Sequence, residues 1–168
     1  ANASSGQSWG LRYCHGRKKL ICFFQIISME GLLTVKFVER REIAQNTFAI
    51  WFTKPEGFTY QAGQFVHLWL AVDPSSPKEN VRSMSLASAP HEEHLMTAMR
   101  MSESKFKQTI MSLAPGDEFQ ISQPRGHLFM KPEESRHHVF LAAGIGFTPF
   151  RGMIMDEKEK DFPRRLTL

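Results

Sequence analysis

Short runs in which apolar and polar residues alternate fill the chain from Leu32 to Ile121, the pattern of strands with one buried face. Val35 and Phe37 flank Lys36. Phe48, Ile50 and Phe52 share one face of a second run, and Phe65 to Leu70 is a third, largely apolar one. Met84 to Ser88, Leu95 to Met101 and Glu118 to Ile121 bring the number of predicted strands to six. Turn residues separate them: Lys54-Pro55-Glu56-Gly57, Ala62-Gly63, and the polar loop Asp73-Pro74-Ser75-Ser76-Pro77 ahead of Arg82. One helix is predicted before the last strand. Ser104, or Ser102, offers an N-cap, Phe106, Ile110 and Leu113 recur at helical spacing, and Pro115-Gly116-Asp117 stops the helix. The pattern predicts a mainly β fold: a six-stranded antiparallel Greek-key barrel with one helix, over residues 29–132.

After Lys131-Pro132-Glu133-Glu134-Ser135, a polar linker, the period changes. Val139-Phe140-Leu141-Ala142-Ala143 is an unbroken apolar run, expected of a strand buried on both faces of a parallel sheet. Gly144-Ile145-Gly146-Phe147-Thr148-Pro149 follows, and Phe150, Met153 and Ile154 start a helical stripe that Asp161-Phe162-Pro163 ends. Leu166-Thr167-Leu168 reads as a second strand. Residues 136–168 are therefore expected to be the opening of an α/β domain, cut after its first strand, its helix and part of a second strand. A parallel strand with a single covering helix leaves apolar surface unmatched, so this part is expected to be poorly ordered, docked on the barrel, or completed by another chain.

Charge changes the picture only when it is located. The 168 residues carry a formal net charge of +4, with 21 basic and 17 acidic side chains. Residues 1–28 hold Arg12, Arg17, Lys18 and Lys19 and no acid, leaving 17 basic residues against 17 acidic ones from Met29 onward. The part with strand patterning is thus neutral, which argues against a nucleic-acid partner. Cys14 and Cys22 sit in the same leading segment, at a spacing that fits neither a redox pair nor a zinc site. The apolar run Leu20 to Ile27 is too short to span a membrane, and no small-residue cleavage site follows it before Met29. Residues 1–28 are read as a leader or upstream extension outside the fold. No transmembrane segment and a cytoplasmic location are expected.

Two short motifs carry candidate chemistry. A glycine-rich turn between a buried strand and a helix aims backbone N–H groups and the helix dipole at one point, which suits a diphosphate. Here it reads G-x-G-x-T-P, with Gly144 and Gly146 leaving room for the ligand, Thr148 offering a hydroxyl, and Pro149 pre-set for the first helical turn. Arg82-Ser83-Met84-Ser85 lies on a predicted strand after the Pro-rich loop, where the arginine fork suits a phosphate and Ser85 a ligand ring edge. The pairs His137-His138 and His91 with His94 have no cysteines near them and read as solvated loop residues rather than metal ligands. His67, inside an apolar strand, reads as a hydrogen-bonded pocket or core residue. Met84, Met96, Met99 and Met101 are expected to fill the barrel interior and the side that faces a ligand.

Taken in order, Gly63-Gln64-Phe65, Arg82-Ser83-Met84-Ser85 with Leu86-Ala87-Ser88-Ala89-Pro90, Ser104-Lys105-Phe106, Pro115-Gly116-Asp117, Pro124-Arg125-Gly126 and Ala143-Gly144-Ile145-Gly146-Phe147-Thr148-Pro149-Phe150 resemble the ferredoxin–NADP reductase family over about Leu32 to Leu168. The resemblance implies an FAD-binding barrel followed by an NAD(P)-binding α/β domain. It implies that Arg82 meets the FAD diphosphate, with Ser83 beside it, and that Ser85 is the catalytic-site serine at flavin N5. It implies that Ser104 and Lys105 form a second diphosphate contact, and that the backbone of Met99, Arg100 and Met101 follows the ribityl chain. Gly144, Gly146, Thr148 and Pro149 match the nicotinamide-cofactor motif. Met84 departs from the family's usual aromatic residue, and Met101 from its frequent glycine. The implied activity is hydride transfer from NAD(P)H to FAD, and electron delivery to a ferredoxin, a flavodoxin or an attached redox domain. The piece alone is expected to hold FAD but to oxidise little NAD(P)H. The alternative is a non-enzymatic barrel module that no longer holds flavin.

Overall fold

The computed structural model describes residues 31–168 apart from 74, 76, 132–135, 162 and 163. The expectations for the leader, for Cys14 and Cys22, for most of the polar linker and for Phe162-Pro163 lie outside the described residues. No described helix is long and apolar enough to cross a membrane.

Six strands form one antiparallel sheet: β1 (Leu33–Ala44), β2 (Thr47–Thr53), β3 (Phe65–Trp69), β4 (Val81–Ser85), β5 (His94–Arg100) and β6 (Glu118–Ile121), in the order β4-β3-β6-β1-β2-β5. The long β1 serves two partners in succession. Its Leu33–Lys36 end pairs with β6, while Phe37 to Ala44 pairs with β2, and a register shift between Phe37 and Glu39 bends the strand where it changes neighbours. The two outer strands approach one another at their ends. The Ala87 N–H donates to the Met96 carbonyl (2.7 Å), and the Thr97 hydroxyl to the Ser85 carbonyl (3.0 Å).

The alternation read from the sequence fixes the interior. Val35, Phe37, Ile50, Phe52, Val66, Leu68, Leu95, Phe119 and Ile121 are buried in one cluster, with Phe52 and Phe119 edge to face at 5.4 Å. Helix α1 (Lys105–Ser112) plugs that cluster with Phe106 and Ile110, both fully buried. It begins and ends as predicted, with Gly116 at φ 96 turning the chain into β6. Met96 and Met99 are buried, and Met84 and Met101 pack partly buried against the core. β4 begins at Val81, earlier than the Met84 start expected.

The second part departs from expectation. The apolar run Val139 to Ala143 forms a strand of only two residues, β7 (His138–Val139), parallel to β8 (Leu166–Thr167). It is not buried on both faces: Phe140 is 8% exposed, but Val139 is 60% and Leu141 88% exposed. The reason is geometric, since β7 has one partner strand and one helix, and that helix covers only the Phe140 side. There Phe140 stacks on Phe150, ring centroids 4.6 Å apart. A 3-10 turn (Gly144–Phe147) leads into helix α2 (Thr148–Glu159).

Helix α2 docks on the sheet through backbone-close contacts. A Cβ on Gly152 would lie 2.7 Å from the Ser88 carbonyl oxygen, and a Cβ on Gly63, at φ +103, would lie 2.1 Å from the Leu128 oxygen and 2.2 Å from Met153 Cε. Arg151 completes the dock. Its Nη1 donates to the Ala87 carbonyl (2.7 Å) and to Glu92 (3.0 Å), and its Nη2 donates to the other Glu92 oxygen (3.2 Å).

Candidate functional site

The docked helix brings the two candidate motifs to one cleft. This cleft, about 400 Å³, is lined by Ser83, Met84 and Ser85 of β4, Ala98, Met99 and Arg100 of β5, Lys107 of α1, and Ile145, Gly146, Thr148 and Pro149 from the glycine-rich turn. Eight of the thirteen residues singled out in the sequence therefore share one space. β4 and β5 present one wall because their ends meet there, and the start of α2 presents the opposite wall because Arg151 and Gly152 fix the helix on Ala87 and Ser88.

Arg82, Ser104 and Lys105 are placed next to the cleft rather than in it. The Arg82 guanidinium stands over the Phe106 ring (5.3 Å), at the first turn of α1; its Nη1 donates to the Val81 carbonyl, and its Nη2 lies 3.7 Å from Glu79. Ser104 occupies the N-cap position as expected, but its hydroxyl makes no capping bond and is buried without a partner. A buried, unsatisfied hydroxyl at a helix N-terminus beside a guanidinium leaves unmet donor capacity where an anion gains from the helix dipole. Lys105 is held 3.6 Å from Asp73 of the Pro-rich loop. The Asp73 carboxyl is kept below its ordinary range first by hydrogen bonds from Ser75, with Lys105 adding to them.

Three of the candidate residues have partners or surroundings of their own in the fold. Thr148 is buried, and its hydroxyl donates to the Ile145 carbonyl (2.6 Å), so its proton closes the 3-10 turn instead of facing a phosphate. The Met101 N–H donates to the Asn46 carbonyl (2.7 Å) and is taken by the sheet, which removes it as a donor toward a ribityl chain. Gly144, at φ 53, faces away from the shared cleft, into a hollow lined by Phe140, Leu141, Ala142, Phe147 and Leu168. A Cβ on Gly144 or on Gly146 would meet no protein atom within 4 Å, so both positions border open space.

Sequence reasoning missed Lys107 and the Arg151–Glu92 pair. Lys107 reaches the cleft while its Nζ donates to the Arg100 carbonyl, and nothing in a lone lysine on a helix advertises that. Arg151 carried a weak signal, as a long basic side chain inside the apolar stripe Phe150–Ile154.

His67 is hydrogen-bonded as expected, whereas His94 and His138 lie on β5 and β7 instead of in loops, and His138 Nε2 is buried without a hydrogen-bond partner. His67 Nδ1 shares a hydrogen bond with the Ser83 hydroxyl (2.9 Å), and burial, helped by Arg125, holds its pKa below the ordinary value. His137 bonds Thr167 (2.8 Å), and His91 and His94 lie near Glu159 and Glu93. Among the described residues no three metal-ligating side chains cluster.

Comparison with known proteins agrees with the fold and the motifs. No family model matches the chain. A reductase component of terephthalate 1,2-dioxygenase from a Comamonas species is 29% identical over 111 residues, covering 65% of this chain and 31% of that protein. Ferredoxin–NADP reductase of Pseudomonas aeruginosa is 28% identical over 131 residues, covering 76% and 50%. Among solved structures, phthalate dioxygenase reductase superposes with a TM-score of 0.66 at 21% identity over 81% of this chain and 42% of its own. A ferredoxin–NADP reductase from Neisseria gonorrhoeae superposes with a TM-score of 0.63 at 18% identity over 77% and 53%. The chain spans between about a third and a half of the curated relatives it matches. In sequence and in fold alike, this chain is ferredoxin–NADP reductase-like, the family its motifs resemble.

Proposed function

We propose that the chain is the flavin-holding part of an NAD(P)H-dependent oxidoreductase, with FAD seated between β4, β5 and the start of α1. The observation that carries this reading is the shared cleft of about 400 Å³, lined by Ser83 to Ser85 on one side and by Gly146, Thr148 and Pro149 on the other. Its relatives include reductase components of oxygenases and ferredoxin–NADP reductases, and one solved neighbour is described with bound FAD and NADP. The residues present fit such a group. The unpartnered Ser104 hydroxyl and the first N–H groups of α1 provide donors for a diphosphate, with Arg82 one side chain away. In this reading the six strands close into a barrel around the Phe52–Phe119 core.

FAD held there would supply the hydride-accepting and single-electron chemistry that links NAD(P)H to a second redox centre. The chain's own contribution is placement. Ser85 holds a hydroxyl at the cleft edge of β4, and Met84 supplies a polarizable but non-planar surface where an aromatic side chain would lie flat. Gly146, lacking a Cβ, lets a second planar group approach from the α2 side. Ser83 is tied to His67, so its hydroxyl orientation depends on that ring's tautomer. The redox partner is a ferredoxin, a flavodoxin or an attached redox domain. This chain spans about a third to a half of the length of its curated relatives, and little NAD(P)H oxidation is expected of this part alone.

The test is colour and affinity. Purified protein incubated with FAD and desalted should retain a flavin spectrum, and its thermal midpoint should rise with FAD concentration. Arg82→Ala should weaken FAD at least about tenfold and FMN much less, because a single charge-assisted contact to the diphosphate is worth about 1.5–3 kcal/mol. A colourless protein with an unmoved midpoint would leave the inert barrel module as the correct reading.

A further inference from the structure

Beside the start of β3 lies an open hollow of about 760 Å³ whose walls include Gln64, Pro124, Arg125, Gly126, His127 and Phe129. It shares no lining residue with the cleft between β4 and α2, and no acidic side chain lines it. Tyr60, also on its wall, feels the charges of Glu92 and Asp156, but these are held by Arg151 and Lys160. Arg125 is different. It is exposed, and among the described residues its guanidinium has neither a hydrogen bond nor an ion pair. The N–H groups of Gly126 and His127 also have no partner among the described residues.

Most exposed arginines are simply solvated, but this one is rooted in a fixed loop. The Phe65 N–H donates to the Arg125 carbonyl (3.0 Å), and the Arg125 N–H donates back to the Phe65 carbonyl (2.8 Å). Gln64 ties the next residue, its Nε2 donating to the Gly126 carbonyl (3.1 Å) while its Oε1 accepts the Gln61 N–H (2.8 Å). Gly126 turns the chain at φ +95, where a Cβ would lie 3.0 Å from two atoms of the Phe65 ring. The backbone that carries the donors is therefore set before any ligand arrives, which lowers the ordering cost of binding. One unpaired positive charge and no acid on the walls select a monoanion. A planar guanidinium matches a carboxylate through two parallel N–H bonds, and unbonded main-chain N–H groups beside it suit the same oxygens. Half-buried Pro124 and Phe129 supply apolar surface next to that charge. We infer that this hollow is a binding site for a small organic carboxylate, its charged head on Arg125 and its apolar body against Phe129 and Pro124.

The site is independent of the flavin reading, since the two share no lining residue and an inert module would have it too. Benzoate and benzyl alcohol separate charge from ring, because they share the ring and differ in the carboxylate. Titrated into the intact protein at constant ionic strength and followed by NMR, benzoate should saturably shift the amides of Arg125 to Phe129. Benzyl alcohol should bind at least about fivefold more weakly, a charge-assisted bond discounted for an exposed site. Arg125→Gln removes the charge without touching the backbone bonds to Phe65, and should erase the difference between the probes. His67 gives a second, independent readout. Burial and then Arg125 hold its pKa below the ordinary value, so benzoate on Arg125 should raise the His67 titration midpoint in the parent and leave it unmoved in Arg125→Gln. Phenyl phosphate should bind no more tightly than benzoate. Tighter binding of phenyl phosphate, equal affinity of benzoate and benzyl alcohol, a benzoate response unchanged in Arg125→Gln, no benzoate binding, or a His67 midpoint that benzoate does not move would each overturn the inference.

Discussion

Replacing Gly63 by alanine should separate two costs that glycine conceals. At φ +103 any L side chain is strained by about 1–2 kcal/mol. The new Cβ would also lie 2.1 Å from the Leu128 carbonyl oxygen and 2.2 Å from Met153 Cε. Met153 can swing its terminal methyl aside, but a backbone oxygen has no rotamer, so the 128 segment or the strand entry must shift, an overpacking cost of about 1–3 kcal/mol. The smaller entropy of the unfolded alanine chain returns about 0.4–1 kcal/mol. The net expectation is a loss of about 2–4 kcal/mol. Gly57→Ala is the internal control: Gly57 also has positive φ (+71), yet a Cβ there meets nothing within 4 Å. Its strain and entropy terms nearly cancel, leaving roughly 0–1 kcal/mol. Urea unfolding of both variants and the parent, followed by circular dichroism and analysed at fixed m-value, gives the difference directly. If the two alanines cost the same, Gly63 is not in contact with Leu128 and Met153, and the account of how α2 is seated is wrong.

Arg151→Ala should destabilise by about 1–3 kcal/mol, since it leaves Glu92 partly buried with one N–H donor instead of three; Arg151→Lys should recover only part, because an ammonium cannot make the paired contact. Burial pushes the Glu92 carboxyl up, but the bonds from Arg151 and the Ala89 N–H outweigh it and hold the pKa below the ordinary value. That stability is therefore complete above about pH 4.5 and lost as pH falls through the folded-state value. A stability difference between the parent and Glu92→Gln that is flat from pH 6 to pH 3, roughly that carboxylate range, would contradict it. His67, depressed by burial and then by Arg125, should titrate below about 6.5 in an NMR pH series, and Arg125→Gln should move it partway back. Because its folded pKa is the lower one, its contribution is present above the unfolded value and declines as pH drops below it.

The sheet was legible because its signal is local and repeated. Each strand alternates in its own six or so residues, and Val35, Phe37, Phe52 and Phe119 needed no long-range information to be assigned to the interior. The run Val139 to Ala143 misled because an unbroken apolar segment reads as a two-sided buried strand only if covering layers are present, and composition does not reveal their number. Of the site, the residue types were legible but not all of their commitments. Nothing in the motif or the resemblance reveals that the Thr148 hydroxyl closes its own turn or that the Met101 N–H bonds Asn46. Those bonds depend on backbone positions that no periodicity encodes. Lys107 and Arg151 reach their partners from seven and more than fifty residues away in sequence, across joints between elements, which is where sequence patterning has least to say.

The docking of α2 explains why the two motifs line one cleft despite lying about sixty residues apart. The glycine-rich turn has no cross-strand partner of its own. Its position is inherited from Gly152 on Ser88, Arg151 on Ala87 and Glu92, and Met153 beside Gly63. Ser85 is held from the β5 side, since its carbonyl accepts from Thr97 and the nearby Ala87 N–H donates to Met96. Both walls of the cleft are thus referenced to one short stretch, Ser85 to Ser88, that is bonded to β5 on one side and to α2 on the other. The α2 wall of the cleft is therefore tied to this stretch by Arg151 and Gly152, two residues that do not line the cleft and that neither motif contains.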